Sequence, residues 1–159
     1  MALQALYQAD LTGEECLDGI ESTLRDDGHP PEVVDYAFAL ARGVRSHLAE
    51  IDAFLAAAAQ HWSIHRMAAI DRNVLRLGIE EFLRHPDVPP RVVINEAIEM
   101  AKRFSTASSG AFVNGVLDRV RRDLEIAGRV APLPPTDTAE TADADAPEPG
   151  SGTAPPDRA

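Results

Sequence analysis

Few side chains in this sequence have the type and spacing that chemistry requires. Cys16 is the sole cysteine, and a thiolate nucleophile needs an electropositive setting with a base in reach. It falls one turn before Ile20, at an apolar-face position of a short amphipathic stretch, which suits an inert buried thiol. One cysteine also excludes a disulfide framework and a cysteine-based zinc site. His61 and His65 stand four apart, so one continuous helix would bring both to a face that could grip a metal. Ser63 between them has the character of a helix N-cap, and no third ligand or carboxylate lies nearby. Cap or surface histidines beside a core tryptophan, Trp62, are expected, with no metal. The sequence holds no Gly-rich phosphate loop, no nucleotide-binding fingerprint and no His-Glu-x-x-His motif. No catalytic residue and no cofactor are expected.

Three further groups could recognise a partner. Asp71, Arg72, Arg76, Glu80 and Glu81 stand among Val74, Leu75, Leu77, Ile79 and Phe82. Such a mixture is either a solvated face laced by i,i+4 pairs such as Arg76 with Glu80, or a docking face in which fixed charges sit between apolar contacts. Asn95, Glu96 and Glu99 interrupt the next apolar run, and Lys102-Arg103 close it, favourably for a helix C-terminus. Last comes Phe112-Val-Asn-Gly-Val-Leu-Asp118. An Asn-Gly pair inside a helix costs about 1 kcal/mol relative to alanine. Either Gly115 permits close helix packing while Asn114 bonds a neighbouring backbone, or Asn114 and Phe112 belong to a binding surface.

The elements that must position these groups are helices. Apolar residues recur at helical spacing almost throughout 1–130, and no stretch shows the period-two alternation of a half-buried strand. Helices are expected over about 2–10, 14–25, 32–59, 67–84, 91–104 and 109–127. Pro89-Pro90 suit a helix start and Gly128 a helix end. The longest stretch carries Val34, Ala37, Ala41, Val44, Leu48, Ile51, Leu55 and Ala58 as an a/d seam. Val33, Phe38, Leu40 and Phe54 widen that face, so it is read as the central helix of an intramolecular bundle rather than a two-stranded dimer seam. The expected fold is an all-α bundle of six to seven helices in two subdomains, about 1–62 and 63–130.

From Ala131 the chain holds seven of its twelve prolines and no aromatic residue. Such a segment cannot offset its ordering entropy by burial, and 131–159 is read as a disordered acidic tail. The net charge of −11 argues at first against nucleic acid, whose backbone is met by clustered Lys and Arg. It is unevenly spread: −8 over 1–65, +2 over 66–130 and −5 over 131–159. The longest purely apolar run, 53–59, is too short to span a bilayer, and a cytoplasmic protein is expected.

Three segments together resemble one family. They are Ala2-Leu-Gln-Ala-Leu-Tyr-Gln-Ala-Asp10, Ile70-Asp-Arg-Asn-Val-Leu-Arg-Leu-Gly-Ile-Glu-Glu-Phe82, and Pro89-Pro-Arg-Val-Val-Ile-Asn-Glu-Ala-Ile-Glu-Met-Ala-Lys-Arg-Phe104 leading to Phe112-Val-Asn-Gly-Val-Leu-Asp118. In this order over about 2–122, they are similar to the transcription antitermination factors of the NusB family. The resemblance implies a non-catalytic, all-helical protein that pairs with NusE, a small-subunit ribosomal protein, and binds the boxA segment of nascent RNA. That complex joins RNA polymerase and other Nus factors to prevent early termination on ribosomal RNA operons. It implies Gln4, Tyr7, Lys102, Arg103, Phe112, Asn114 and Arg119 on or near the RNA-facing surface, and Asp71, Arg72 and Glu81 at the NusE contact. Tyr7 and Phe112 could stack on unpaired bases while Lys102 and Arg103 meet phosphates; core packing is the competing role for both rings.

The departures from the family pattern carry expectations too. Members usually have an arginine-rich arm ahead of the first motif, whereas this chain begins inside it at Met1, so the natural start is expected upstream. A position that is often acidic is Ser108 here, and the Pro-rich tail is not part of the common pattern. Two other readings follow: the N-terminal RNA-binding domain of a ribosomal RNA cytosine methyltransferase, which requires a truncated gene, and a homodimeric scaffold built through the 34–58 seam.

Overall fold

The computed structural model describes residues 1–13, 16–60 and 62–130; the acidic tail at 131–159 lies outside the described residues. The described elements are seven α-helices and one 3-10 turn: α1 (Ala2–Thr12), α2 (Cys16–Asp26), α3 (Pro31–Ser46), α4 (Leu48–Ala58), the turn Ile64–Arg66, α5 (Ala69–Arg84), α6 (Pro90–Phe104) and α7 (Ser109–Ile126). The fold is all-α, as the apolar spacing predicts. Prolines open α3 and α6 at positions whose N–H would have no helical partner anyway. Gly128 ends α7 with φ +68°. Its N–H donates to Glu125 O at 2.9 Å, and that of Arg129 reaches back to Leu124 O at 2.8 Å, the paired bonds of a Schellman cap.

Two expectations need correction. The stretch 32–59 is not one helix, because the chain turns at His47 between α3 and α4. Apolar spacing runs through the turn, since Val44, Ile51 and Leu55 are all buried on either side of it, and a periodicity that survives a bend cannot reveal the bend. The seam is spent on the chain's own core: α3 packs on α1, α2 and α5, and α4 packs on α5 and α7. Nor is this stretch the centre of the bundle. That place belongs to α5, which touches α1, α3, α4, α6 and α7.

The charged residues of α5 are accordingly not a solvated face. Asp71, Asn73, Arg76 and Glu80 are all buried. In place of the expected Arg76–Glu80 pair, Arg76 forks onto Asp52 of α4, with Nε and Nη2 each 2.9 Å from a carboxylate oxygen. Glu80 accepts from Arg84 at 3.1 Å and lies 3.4 Å from His47 Nδ1. A buried charge is tolerable only when paired in this way. Glu80 also explains Gly43 of α3: a Cβ there would stand 2.2 Å from Glu80 Oε1.

Candidate nucleic-acid and partner interface

A groove of about 730 Å³ opens between α1, α3, α5 and α6. Gln4 and Tyr7 line it from α1, Tyr36 from α3, Glu81 from α5, and Glu96, Met100, Arg103 and Phe104 from α6. Each reaches it for a sequence reason. Leu3, Ala5, Leu6 and Ala9 turn one side of α1 into the core, which leaves Gln4 exposed and Tyr7 37% exposed. Val93, Ile94, Ala97 and Ala101 do the same for α6 and leave Arg103 outside, its guanidinium 5.2 Å above the Phe104 ring.

The polar wall of the groove is a coupled pair. Tyr36 donates its hydroxyl to Glu81 Oε1 at 2.7 Å, and its ring meets His85 edge to face at 5.3 Å. Burial holds the Glu81 carboxyl above the ordinary carboxylate range, against the Tyr36 hydrogen bond and His85, which pull it down, while Glu96 adds to the rise. Burial, followed by the bond to Glu81, raises the Tyr36 hydroxyl well above the usual phenol range.

Asp71 and Arg72 are occupied elsewhere. Asp71, 8% exposed, accepts from Ser109 Oγ at 2.9 Å and so ties the start of α5 to the start of α7; its other oxygen is buried with no hydrogen-bond partner among the described residues. Arg72 turns toward α1, where Asp10 receives Arg72 at 3.3 Å, Asn73 at 3.0 Å and Arg45 at 3.3 Å. Asp10 was not singled out in the sequence, although it closes the first motif and the complementary arginines lie in the second. Glu81 stands ten residues beyond Asp71, about 15 Å along the helix axis, and is the one of the three that faces the groove.

The remaining residues lie toward α7. Lys102, paired with Glu99 at 2.9 Å, lays its stem against Gly110, where a Cβ would meet Lys102 Cγ at 3.2 Å. Asn114 is exposed, and a Cβ on Gly115 would meet nothing within 4 Å, so Gly115 serves no close helix packing. Arg119 is exposed beside Asp123 at 3.5 Å. Phe112 is half-buried, and Trp62 stands against it with ring centroids 5.7 Å apart. Trp62 is 60% exposed, which corrects the expected core tryptophan: the chain has just left α4, and the indole lies at the surface beside Phe112. Ser63 does precede a helical turn, but its side chain makes no capping bond. His61 lies outside the described residues, and His65 is exposed. Cys16 packs partly against the core.

Among the described residues, no three His, Cys, Asp or Glu side chains gather to hold a metal, and no helix is long and apolar enough to cross a membrane. Fold and surface define an all-helical bundle that presents aromatic rings and cations outward, a protein of the binding class. The model of the NusB family matches residues 1–122, and the chain belongs to the NusB family. Relatives named transcription antitermination protein NusB include that of Anaeromyxobacter dehalogenans strain 2CP-1, 48% identical over 129 residues, spanning 80% of this chain and 90% of the relative. That of Myxococcus xanthus is 45% identical over 123 residues, 75% of this chain and 88% of the relative. The solved structure of T. maritima NusB superposes with a TM-score of 0.70 at 37% identity, covering 82% of this chain and 88% of the other. A complex of antitermination factors NusB and NusE with double-stranded RNA gives 0.67 at 28% identity, over 77% and 91%. The family is one of non-enzymatic transcription factors.

Proposed function

We propose that this chain acts in the cytoplasm as a transcription antitermination factor. With the ribosomal protein NusE it binds boxA RNA of nascent ribosomal transcripts and, in complex with RNA polymerase and other Nus factors, prevents early termination. The observation that carries this reading is the family match over 1–122, nearly the whole of the described structure. The likeness to a solved NusB–NusE–RNA complex supports it.

In this reading Gln4, Tyr7 and Arg103 act from the groove, while Lys102, Phe112, Asn114 and Arg119 act from the α6–α7 side. Glu81 meets the protein partner directly. Asp71 and Arg72 shape that side indirectly, through Ser109 and Asp10. The chain is organised as two subdomains, about 1–62 and 63–130, meeting near Trp62. Filter binding of boxA RNA with and without NusE tests the reading: NusE is expected to strengthen retention of boxA over a scrambled RNA, and equal retention of the two would refute it.

A further inference from the structure

Trp62, 60% exposed, is the most open aromatic ring among the described residues, ahead of Phe104, Tyr36 and Tyr7. It meets Phe112 edge to face, with an interplanar angle of 61°, and most of its surface is open. The ground around the pair is unusual for this chain. Of its twenty-six acidic residues, none falls in 53–70 or in 100–117, the two segments that meet at Trp62 and Phe112. Those segments carry Arg66, Lys102 and Arg103, all exposed. Along α7, Phe112, Gly115 and Arg119 recur at spacings of three and four and therefore share a face. Gly115 leaves that face bare between the ring and the cation.

We propose that Trp62, braced by Phe112, is a stacking site for an unpaired base of single-stranded RNA. The bare stretch at Gly115 admits the adjoining sugar, and the positive charge for its phosphates comes from Arg66 and from Arg119, which they would share with Asp123. Rings provide a sequence-tolerant platform for bases, and the lack of acidic residues within 53–70 and 100–117 lessens the repulsion that a phosphate would meet elsewhere on an acidic chain. A protein contact takes about 800 Å² from each partner around an apolar centre. The flanking Ser108, Asn114 and Gly115 supply no such centre.

The inference rests on the RNA-binding reading above, and one titration separates the two. Trp62 is the only tryptophan, so its fluorescence reports on this site alone. A short single-stranded RNA with unpaired purines, added to the full chain at low salt, is expected to quench it, whereas the same RNA annealed to its complement is not. Trp62→Ala is expected to weaken single-strand binding by about tenfold and Trp62→Phe to restore most of it, with the helical circular dichroism unchanged in both. Filter retention of the single strand with unaltered fluorescence, or wild-type affinity in the alanine variant, overturns the stacking site and leaves the general RNA reading standing. Absence of any retention overturns both. Fluorescence that responds to NusE but not to RNA would make the pair a protein contact and overturn the proposal.

Discussion

Gly43→Ala should destabilise this protein, although the usual rule for a helical glycine predicts the opposite. Alanine gains about 0.5–1 kcal/mol over glycine inside a helix through backbone entropy alone. Against that, the new methyl would stand 2.2 Å from Glu80 Oε1 and 2.9 Å from its Cδ, an overlap that forces the carboxylate to move. The carboxylate is poorly placed to do so: the Glu80 side chain is 3% exposed and paired with Arg84 at 3.1 Å. Overpacking a filled site typically costs about 1–3 kcal/mol, so the net loss should be about 1–2 kcal/mol. For a folded region of this size that lowers Tm by about 4–8 °C. Urea unfolding followed by circular dichroism measures the loss directly. The decisive control is the same substitution in a Glu80→Ala background, where the overlap is gone and the sign should reverse to a small gain. Gly43→Ala as stable as wild type, or the same loss in both backgrounds, would refute the steric argument.

Three other perturbations test other parts of the structure. Ser109→Ala removes the hydrogen bond to Asp71 and leaves both oxygens of a buried carboxylate without a partner; it should cost about 1–3 kcal/mol, read from the shift in urea midpoint at unchanged m. Because burial raises the Glu81 carboxyl, the folded state holds its proton more tightly than the unfolded state does. The resulting stability is present below the ordinary carboxylate value and lost as pH rises through the raised one, so Tm of wild type should fall relative to Glu81→Gln across that window. Arg103→Ala should weaken RNA retention uniformly across sequences and reduce the slope of log affinity against log salt by about one; an unchanged slope would remove Arg103 from the phosphate contacts.

The helices and their approximate ends were legible in the sequence because one face of each is continuously apolar, as in the run Val93, Ile94, Ala97 and Ala101 of α6. The turn at His47 was not legible, since Val44, Ile51 and Leu55 keep helical spacing through it. The burial of α5 was hidden for a different reason. Asp71, Arg76 and Glu80 look like solvent-facing residues until Ser109, Asp52 and Arg84 are brought to them from elsewhere in the chain, and such long-range pairing leaves no local signal. Of the residues named for the candidate site, Gln4, Tyr7 and Arg103 come from motifs nearly a hundred residues apart and are joined by the packing of α1 and α6 around the groove. The exposure of Trp62 leaves no signal in the sequence, because it depends on where α4 ends.

The central claim is that this chain keeps RNA polymerase from terminating early on transcripts carrying boxA. In vitro transcription through a terminator downstream of boxA, with RNA polymerase, NusE and the other Nus factors supplied, tests it most directly. Adding this protein should raise read-through on that template and leave it unchanged when boxA is scrambled. Read-through that does not respond to the protein, or that rises equally on both templates, would contradict the claim.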